Sequence, residues 1–187
     1  GVLGMNGTGK TTLFNILGGT DRDFSGDISL RGNEVSYMSS RILLPEYWKI
    51  SDALNFYRRF YQFDGFRAEQ MLEEANLPQK LRFLSLSDGM RRYVAFTLCF
   101  CVNARVYLFD EPLTNLDARF RSVIVDELIG MALRDKIVLI ATHEIKEFEN
   151  LFTHCVILKQ GKLSRPYDTE EIRASGYSLE EFYCERA

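Results

Sequence analysis

The sequence predicts an α/β fold with a mostly parallel sheet, a small antiparallel β part and a helical segment inserted in the frame. Three observations carry that prediction. A glycine-rich run, Gly4-Met5-Asn6-Gly7-Thr8-Gly9-Lys10-Thr11-Thr12, separates the apolar Gly1-Val2-Leu3 from a helical pattern. Two unbroken apolar runs, Val106-Tyr107-Leu108-Phe109 and Ile137-Val138-Leu139-Ile140-Ala141, flank a long helical stretch. Such runs read as strands buried on both faces, and strands alternating with helices imply a covered parallel sheet.

Taken in order, Lys10–Leu17 reads as a helix stopped by Gly18-Gly19. Asp27–Leu30 and Glu34–Met38 alternate in polarity around Arg31-Gly32-Asn33 and predict a short hairpin. Ser51-Asp52 reads as the cap of a helix carrying Leu54, Phe56, Tyr57, Phe60 and Tyr61. A second helix is expected over about Arg67 to Ala75, before Pro78. Ser87 caps an apolar helix running to about Cys101. Ala118 to Arg134 is a long helix between the two apolar strands, and Glu144 to Leu151 is another. Cys155–Leu158 and Lys162-Leu163 bracket the turn Gln160-Gly161, and the tail from Asp168 to Tyr183 predicts two short helices. The expected organisation is one domain, 1–187, with a helical subdomain over about 40–100 set into the α/β core.

Composition narrows the function classes. The chain has 187 residues, 46% of them hydrophobic, enough for one substantial core. A net charge of -3 supplies no electrostatic attraction for nucleic acid, so none is expected as a partner. The longest apolar run, Val94–Val102, is too short to cross a bilayer, so any membrane link must go through another chain. Cys99, Cys101, Cys155 and Cys184 lack metal-type spacing and read as reduced cytosolic thiols. Residue 1 is Gly and stands where a first core strand should already be ending. No signal peptide is legible there, and a preceding N-terminal segment, with its strands, is expected.

The glycine-rich run fits G-x-x-x-x-G-K-[ST]. Glycines let a loop fold tightly enough for several backbone N–H groups to point at one phosphate chain. Gly4, Met5, Asn6, Gly7, Thr8, Gly9, Lys10, Thr11 and Thr12 are therefore candidate phosphate-binding residues. Lys10 supplies positive charge, the Thr11 hydroxyl is placed to hold Mg²⁺, and the following helix turns its positive end to the phosphates. Asp110 and Glu111 emerge at the C-terminal end of an apolar strand, where ligands bind in open α/β sheets. Asp110 is placed to support Mg²⁺, and Glu111 to polarise a water for in-line attack on a γ-phosphate. Thr142-His143-Glu144 ends the next strand, so His143 is a candidate to hold the γ-phosphate and the attacking water. Leu86-Ser87-Asp88-Gly89-Met90 opens an apolar helix and offers a second anion-binding end. One nucleotide does not need two such ends. A dimer that buries a nucleotide between chains does.

Together and in this order, these elements resemble the ATP-binding cassette (ABC) family, the nucleotide-binding domains of ABC transporters and a branch of the P-loop NTPases. The resemblance covers nearly the whole chain. Gly4–Thr11 resembles its Walker A, Val106–Glu111 its Walker B with catalytic glutamate, and Pro112–Asp117 its D-loop with Asp117 as the acid. His143 resembles its switch histidine. Leu86–Met90 resembles the signature, whose Ser87 and Gly89 would reach the nucleotide of the partner subunit. The resemblance implies ATP and Mg²⁺ as cofactors, with Thr11 and Asp110 on the metal and Glu111 and His143 catalytic. It implies a second ABC ATPase subunit, alike or unlike, and a transmembrane permease subunit that holds the chain at the cytoplasmic face of the membrane. A signature ending in Met and no long C-terminal extension are similar to bacterial exporters whose ATPase is a separate subunit.

This sequence departs from the family pattern in three places. Asp88 stands where Gly is usual, Met90 where Gln is usual, and Ser40, in Tyr37-Met38-Ser39-Ser40, at the place of the Q-loop glutamine. The family's groove for a membrane-subunit helix falls on the aromatic stretch after Ser40. There Leu54, Phe56 and Phe60 are expected to pack inside, and Tyr47, Trp48 and Tyr57 to serve an interface. The expected function is ATP hydrolysis powering transport. The alternative is a soluble or regulatory cassette that acts on nucleic acid or ribosomes, or binds ATP without efficient turnover.

Overall fold

In the computed structural model, residues 1–30, 34–132 and 136–186 are described. The sheet is built from β1 (Val2–Leu3), β2 (Val35–Met38), β3 (Val106–Asp110), β4 (Ile137–Thr142), β5 (His154–Lys159), β6 (Lys162–Leu163) and β7 (Tyr167–Asp168). Its order is β2-β3-β4-β1-β5-β6, with β7 also on β5. The five strands from β2 to β5 are parallel neighbours. β6 and β7 pair with β5 antiparallel and form the small antiparallel part.

β3 sits between two parallel neighbours and is buried along its whole length. Its alternation divides the core between the two faces of the sheet. Val106 and Leu108 pack with Val2, Ala141 and Phe14 of α1 (Lys10–Leu17). Tyr107 and Phe109 belong to the larger core on the other face. There Phe109 meets Phe96 of a long apolar helix with ring centroids 5.3 Å apart. Burying each such side chain contributes about 1.5–3 kcal/mol.

The 40–100 region is mostly helical: α2 (Ile50–Phe60), α3 (Gly65–Glu74) and α4 (Asp88–Phe100). Leu54, Met71, Leu72 and Val94 are fully buried where these helices meet. α5 (Ala118–Ala132) crosses back to β4, and Phe120 stacks on Tyr93 of α4 at 4.7 Å. α6 (Ile145–Phe148), α7 (Thr169–Ala174) and α8 (Leu179–Cys184) complete the chain.

Several expectations need correction. The hairpin is not formed. Residues 27–30 carry no strand, and β2 pairs with β3 in parallel, Val35 opposite Val106 through Met38 opposite Phe109. The expected turn, Arg31-Gly32-Asn33, lies outside the described residues. Polarity alternation marks a half-buried strand but does not identify its partner. α2 starts at Ile50, with Lys49 as cap and the Asp52 carboxylate accepting the Lys49 N–H at 2.8 Å. The helix after His143 is a single turn, Ile145–Phe148. Phe56 and Phe60 are not core: they are 38% and 63% exposed, and their tilted rings pack on each other with centroids 4.7 Å apart. Tyr57 is the half-buried one, and burial raises its phenol pKa.

Candidate functional site

Parallel pairing puts the C-terminal ends of β1, β2, β3 and β4 at one edge of the sheet. The register sets Leu3 beside Thr142, Asp110 beside Ala141 and Met38 beside Phe109. The segments leaving that edge are Gly4–Gly9, Ser39-Ser40, Glu111 and His143. Four stretches far apart in sequence therefore meet where α/β sheets bind ligands.

The loop from Gly4 to Gly9 wraps around the Lys10 side chain. The Lys10 ammonium is buried and donates to the carbonyls of Gly4 at 2.6 Å and Met5 at 3.3 Å. Thr8 closes the turn, its hydroxyl donating to the Met5 carbonyl at 2.9 Å. Gly4 is required by close approach. A Cβ there would lie 2.7 Å from the Thr8 hydroxyl oxygen and 2.8 Å from the Leu158 carbonyl. Gly9 caps α1 at φ 105°, a left-handed conformation that glycine adopts without steric cost. Asn6, Gly7, Gly9, Lys10, Thr11 and Thr12 line one side of a pocket of about 360 Å³; Ser40 and Glu111 line the other.

Glu111 has all its polar groups tied. Its N–H donates to Ala141 at 2.9 Å, and its carbonyl accepts from Arg92 Nη1 at 2.8 Å. Its carboxylate meets Lys10 Nζ at 3.4 Å, His143 Nδ1 at 2.8 Å and the Thr142 hydroxyl at 3.3 Å. The backbone stands at φ 51°. That conformation costs a non-glycine residue about 1–3 kcal/mol and persists only where its surroundings hold it.

Asp110 is fully buried. Oδ2 accepts the Thr11 hydroxyl at 2.7 Å, whereas Oδ1 has no hydrogen-bond partner. An orphaned buried carboxylate oxygen beside a hydroxyl is a hard oxygen donor set, which suits Mg²⁺. Among the described residues no group of three or more His, Cys, Asp or Glu could hold a metal.

The predicted residues thus fall into two groups. The loop, Asp110, Glu111, His143 and Ser40 come together. Ser87, Gly89 and Asp117 do not line that pocket. Ser87 is the N-cap of α4, its hydroxyl accepting the Met90 N–H at 3.2 Å. Asp117 accepts the Phe120 N–H at 3.0 Å at the start of α5. Gly89 packs close to Asn115, whose carbonyl would lie 3.0 Å from an added Cβ. The Asp88 side chain is 81% exposed, with Arg91 at 3.9 Å.

Sequence reasoning missed Arg92. Its guanidinium, half-buried, also donates to the Ser40 carbonyl at 3.1 Å. Burial lowers its pKa, and the nearby Glu111, Asp110, Asp88 and Glu144 oppose that shift. The available signal was a second cation next to Arg91, just before the helix turns largely apolar.

The sheet order and the glycine-rich loop between β1 and α1 define a P-loop α/β domain. A family model described as ABC transporter matches residues 1–114. The chain belongs to the ABC transporter family. The ABC transporter ATP-binding protein YtrB of Bacillus subtilis (strain 168) is 25% identical over 185 residues, covering 92% of this chain and 63% of that protein. Nod factor export ATP-binding protein I of Burkholderia thailandensis is 28% identical over 179 residues, 87% of this chain and 59% of that protein. The chain therefore spans about three fifths of the length of these curated relatives. A solved structure of the ATP binding subunit of an ABC transporter superposes with a TM-score of 0.87 at 23% identity, covering 98% of this chain and 85% of the other.

Proposed function

We propose that this chain binds and hydrolyses ATP, and that hydrolysis powers transport through a separate membrane-spanning permease. The convergence of Lys10, the Thr11–Asp110 pair and the Glu111–His143 pair on one pocket carries this reading. Loop N–H groups and Lys10 take the phosphates. Lys10 exchanges the Gly4 and Met5 carbonyls and Glu111 for phosphate oxygens. Thr11 and Asp110 would hold Mg²⁺, which when bound offsets phosphate charge. Glu111, released from Lys10, orients a water and takes its proton as the water oxygen attacks the γ-phosphorus in line. The bond to the β–γ bridging oxygen breaks, leaving ADP and phosphate. His143 holds the γ-phosphate end.

Ser87, Gly89 and Asp117 act in this reading on the nucleotide of a second cassette, alike or unlike. The dimer closes on two ATP molecules and opens after hydrolysis, driving the permease as a lever. No helix among the described residues is long and apolar enough to cross a membrane. The permease holds the chain at the cytoplasmic face. A cleft of about 880 Å³, with Tyr37, Leu43, Phe56 and Tyr57 in its walls, offers a place for a permease helix. Phosphate release by the full-length protein, assayed with and without its permease, tests the proposal. ATP-dependent release stimulated by the permease is expected; its absence in both assays refutes the reading.

A further inference from the structure

We infer that Arg92 is a positioning residue for Glu111, an inference that rests on the hydrolytic reading above. The observation is a two-ended clamp. Nη1 donates to the carbonyl of Glu111 at 2.8 Å, and Nη2 to that of Ser40 at 3.1 Å. Both carbonyls belong to residues that line the phosphate pocket, and they follow different strands, β3 and β2. A guanidinium presents its donors in a rigid fork, so one side chain holds both segments at a fixed spacing.

The geometry explains what the clamp does. Glu111 stands at φ 51°. With the N–H held as well, fixing the carbonyl fixes the direction in which the side chain leaves the backbone, and so the base from which the carboxylate reaches the pocket. The N–H is fixed by β4 and the carboxylate by Lys10, His143 and Thr142. Lys10 and His143 are the groups that phosphate engages during turnover. With nucleotide bound, the carbonyl clamp remains while part of the carboxylate clamp is given up. Arg92 also stands one turn inside α4, whose start carries the N-cap Ser87 and Gly89. A shift of that helix end, as on docking a second chain, moves the Glu111 carbonyl through one hydrogen bond. Neighbouring Arg91 is committed elsewhere, to the Phe83 and Leu84 carbonyls and Asp88, and does not substitute.

The test uses the full-length protein with its permease, with Arg92→Ala and Arg92→Lys each made in the parent and in Glu111→Gln. Arg92→Ala should lower kcat by about 10- to 10²-fold, the size of loss expected when a catalytic group is misplaced by about an ångström. The Kd for a fluorescent ATP analogue should stay within about twofold, because loop contacts are untouched. Arg92→Lys should recover part of the rate, since an ammonium reaches one carbonyl and not both. In Glu111→Gln, Arg92→Ala should change the residual rate by less than about threefold, because residues acting as a unit are not additive. An unchanged kcat in both Arg92 variants overturns the inference. So does an equal loss on both backgrounds, which marks a general packing role. If Arg92→Ala does not fold, Arg92→Lys carries the same cycle. A parent that releases no phosphate refutes the hydrolytic reading itself, and the Arg92 inference falls with it.

Discussion

The phosphate pocket and the start of α4 differ in how much of their partnership lies within one chain. At the phosphate pocket, Lys10, Thr11, Asp110, Glu111, Thr142 and His143 bond to one another across three strand ends. At the start of α4, Ser87 and Asp88 are exposed, and among the described residues their bonds serve the helix itself and a weak pairing with Arg91. The first region is a site closed on itself. The second bonds within its own helix. In the proposed function the first region is complete in one chain, whereas the second acts on the nucleotide of a second cassette.

The largest expected effect lies on the closed side. Glu111→Gln should retain nucleotide and lose about 10²–10³ of turnover, the usual cost of removing one positioned catalytic group. Steady-state phosphate release with the permease present measures it, and undiminished turnover removes Glu111 from the role. Next, Lys10→Ala or Thr11→Ala should weaken Mg-ATP binding by about tenfold or more, since each contributes a charge or metal contact of roughly 1.4 kcal/mol or above. Titration with a fluorescent ATP analogue checks this; equal affinities would place the nucleotide elsewhere.

Effects on the open side should be smaller in the single chain. Ser87→Ala removes the N-cap of α4 and should cost about 1 kcal/mol of stability, read by urea unfolding. Smallest of all, Asp88→Gly should change unfolding by no more than about 0.5 kcal/mol, as expected of an exposed residue. If Asp88 faces the second cassette's phosphates in the proposed dimer, the change should also tighten the ATP-bound dimer by removing a negative charge, and if it faces solvent the dimer should be unchanged. Size exclusion of a hydrolysis-deficient Glu111→Gln background compares the dimers. A large loss of stability with no change in dimerisation would make Asp88 a structural residue and break the comparison.

The same contrast governs what was legible in the sequence. β3 and β4 were readable because burial on both faces leaves an unbroken apolar run. The phosphate loop was readable because its glycines answer to steric demands at Gly4 and Gly9. The partner of β2 was not, since its hydrogen bonds go to a strand some seventy residues later, at Val106–Phe109. Arg92 was missed because it acts on main-chain carbonyls, which every residue has and no motif records. The surface position of Phe56 and Phe60 was missed because aromatics at helical spacing look alike whether they face a core or a cleft.

The central claim is that one chain completes the phosphate side and a second chain is needed for turnover. The most direct measurement varies the concentration of the full-length protein, adding an unlike cassette if one is its partner, and follows Mg-ATP binding and phosphate release per chain. One nucleotide bound per chain is expected at every concentration, with turnover per chain rising as chains associate. Turnover per chain that stays constant under dilution, well below the concentration at which chains associate, would contradict it.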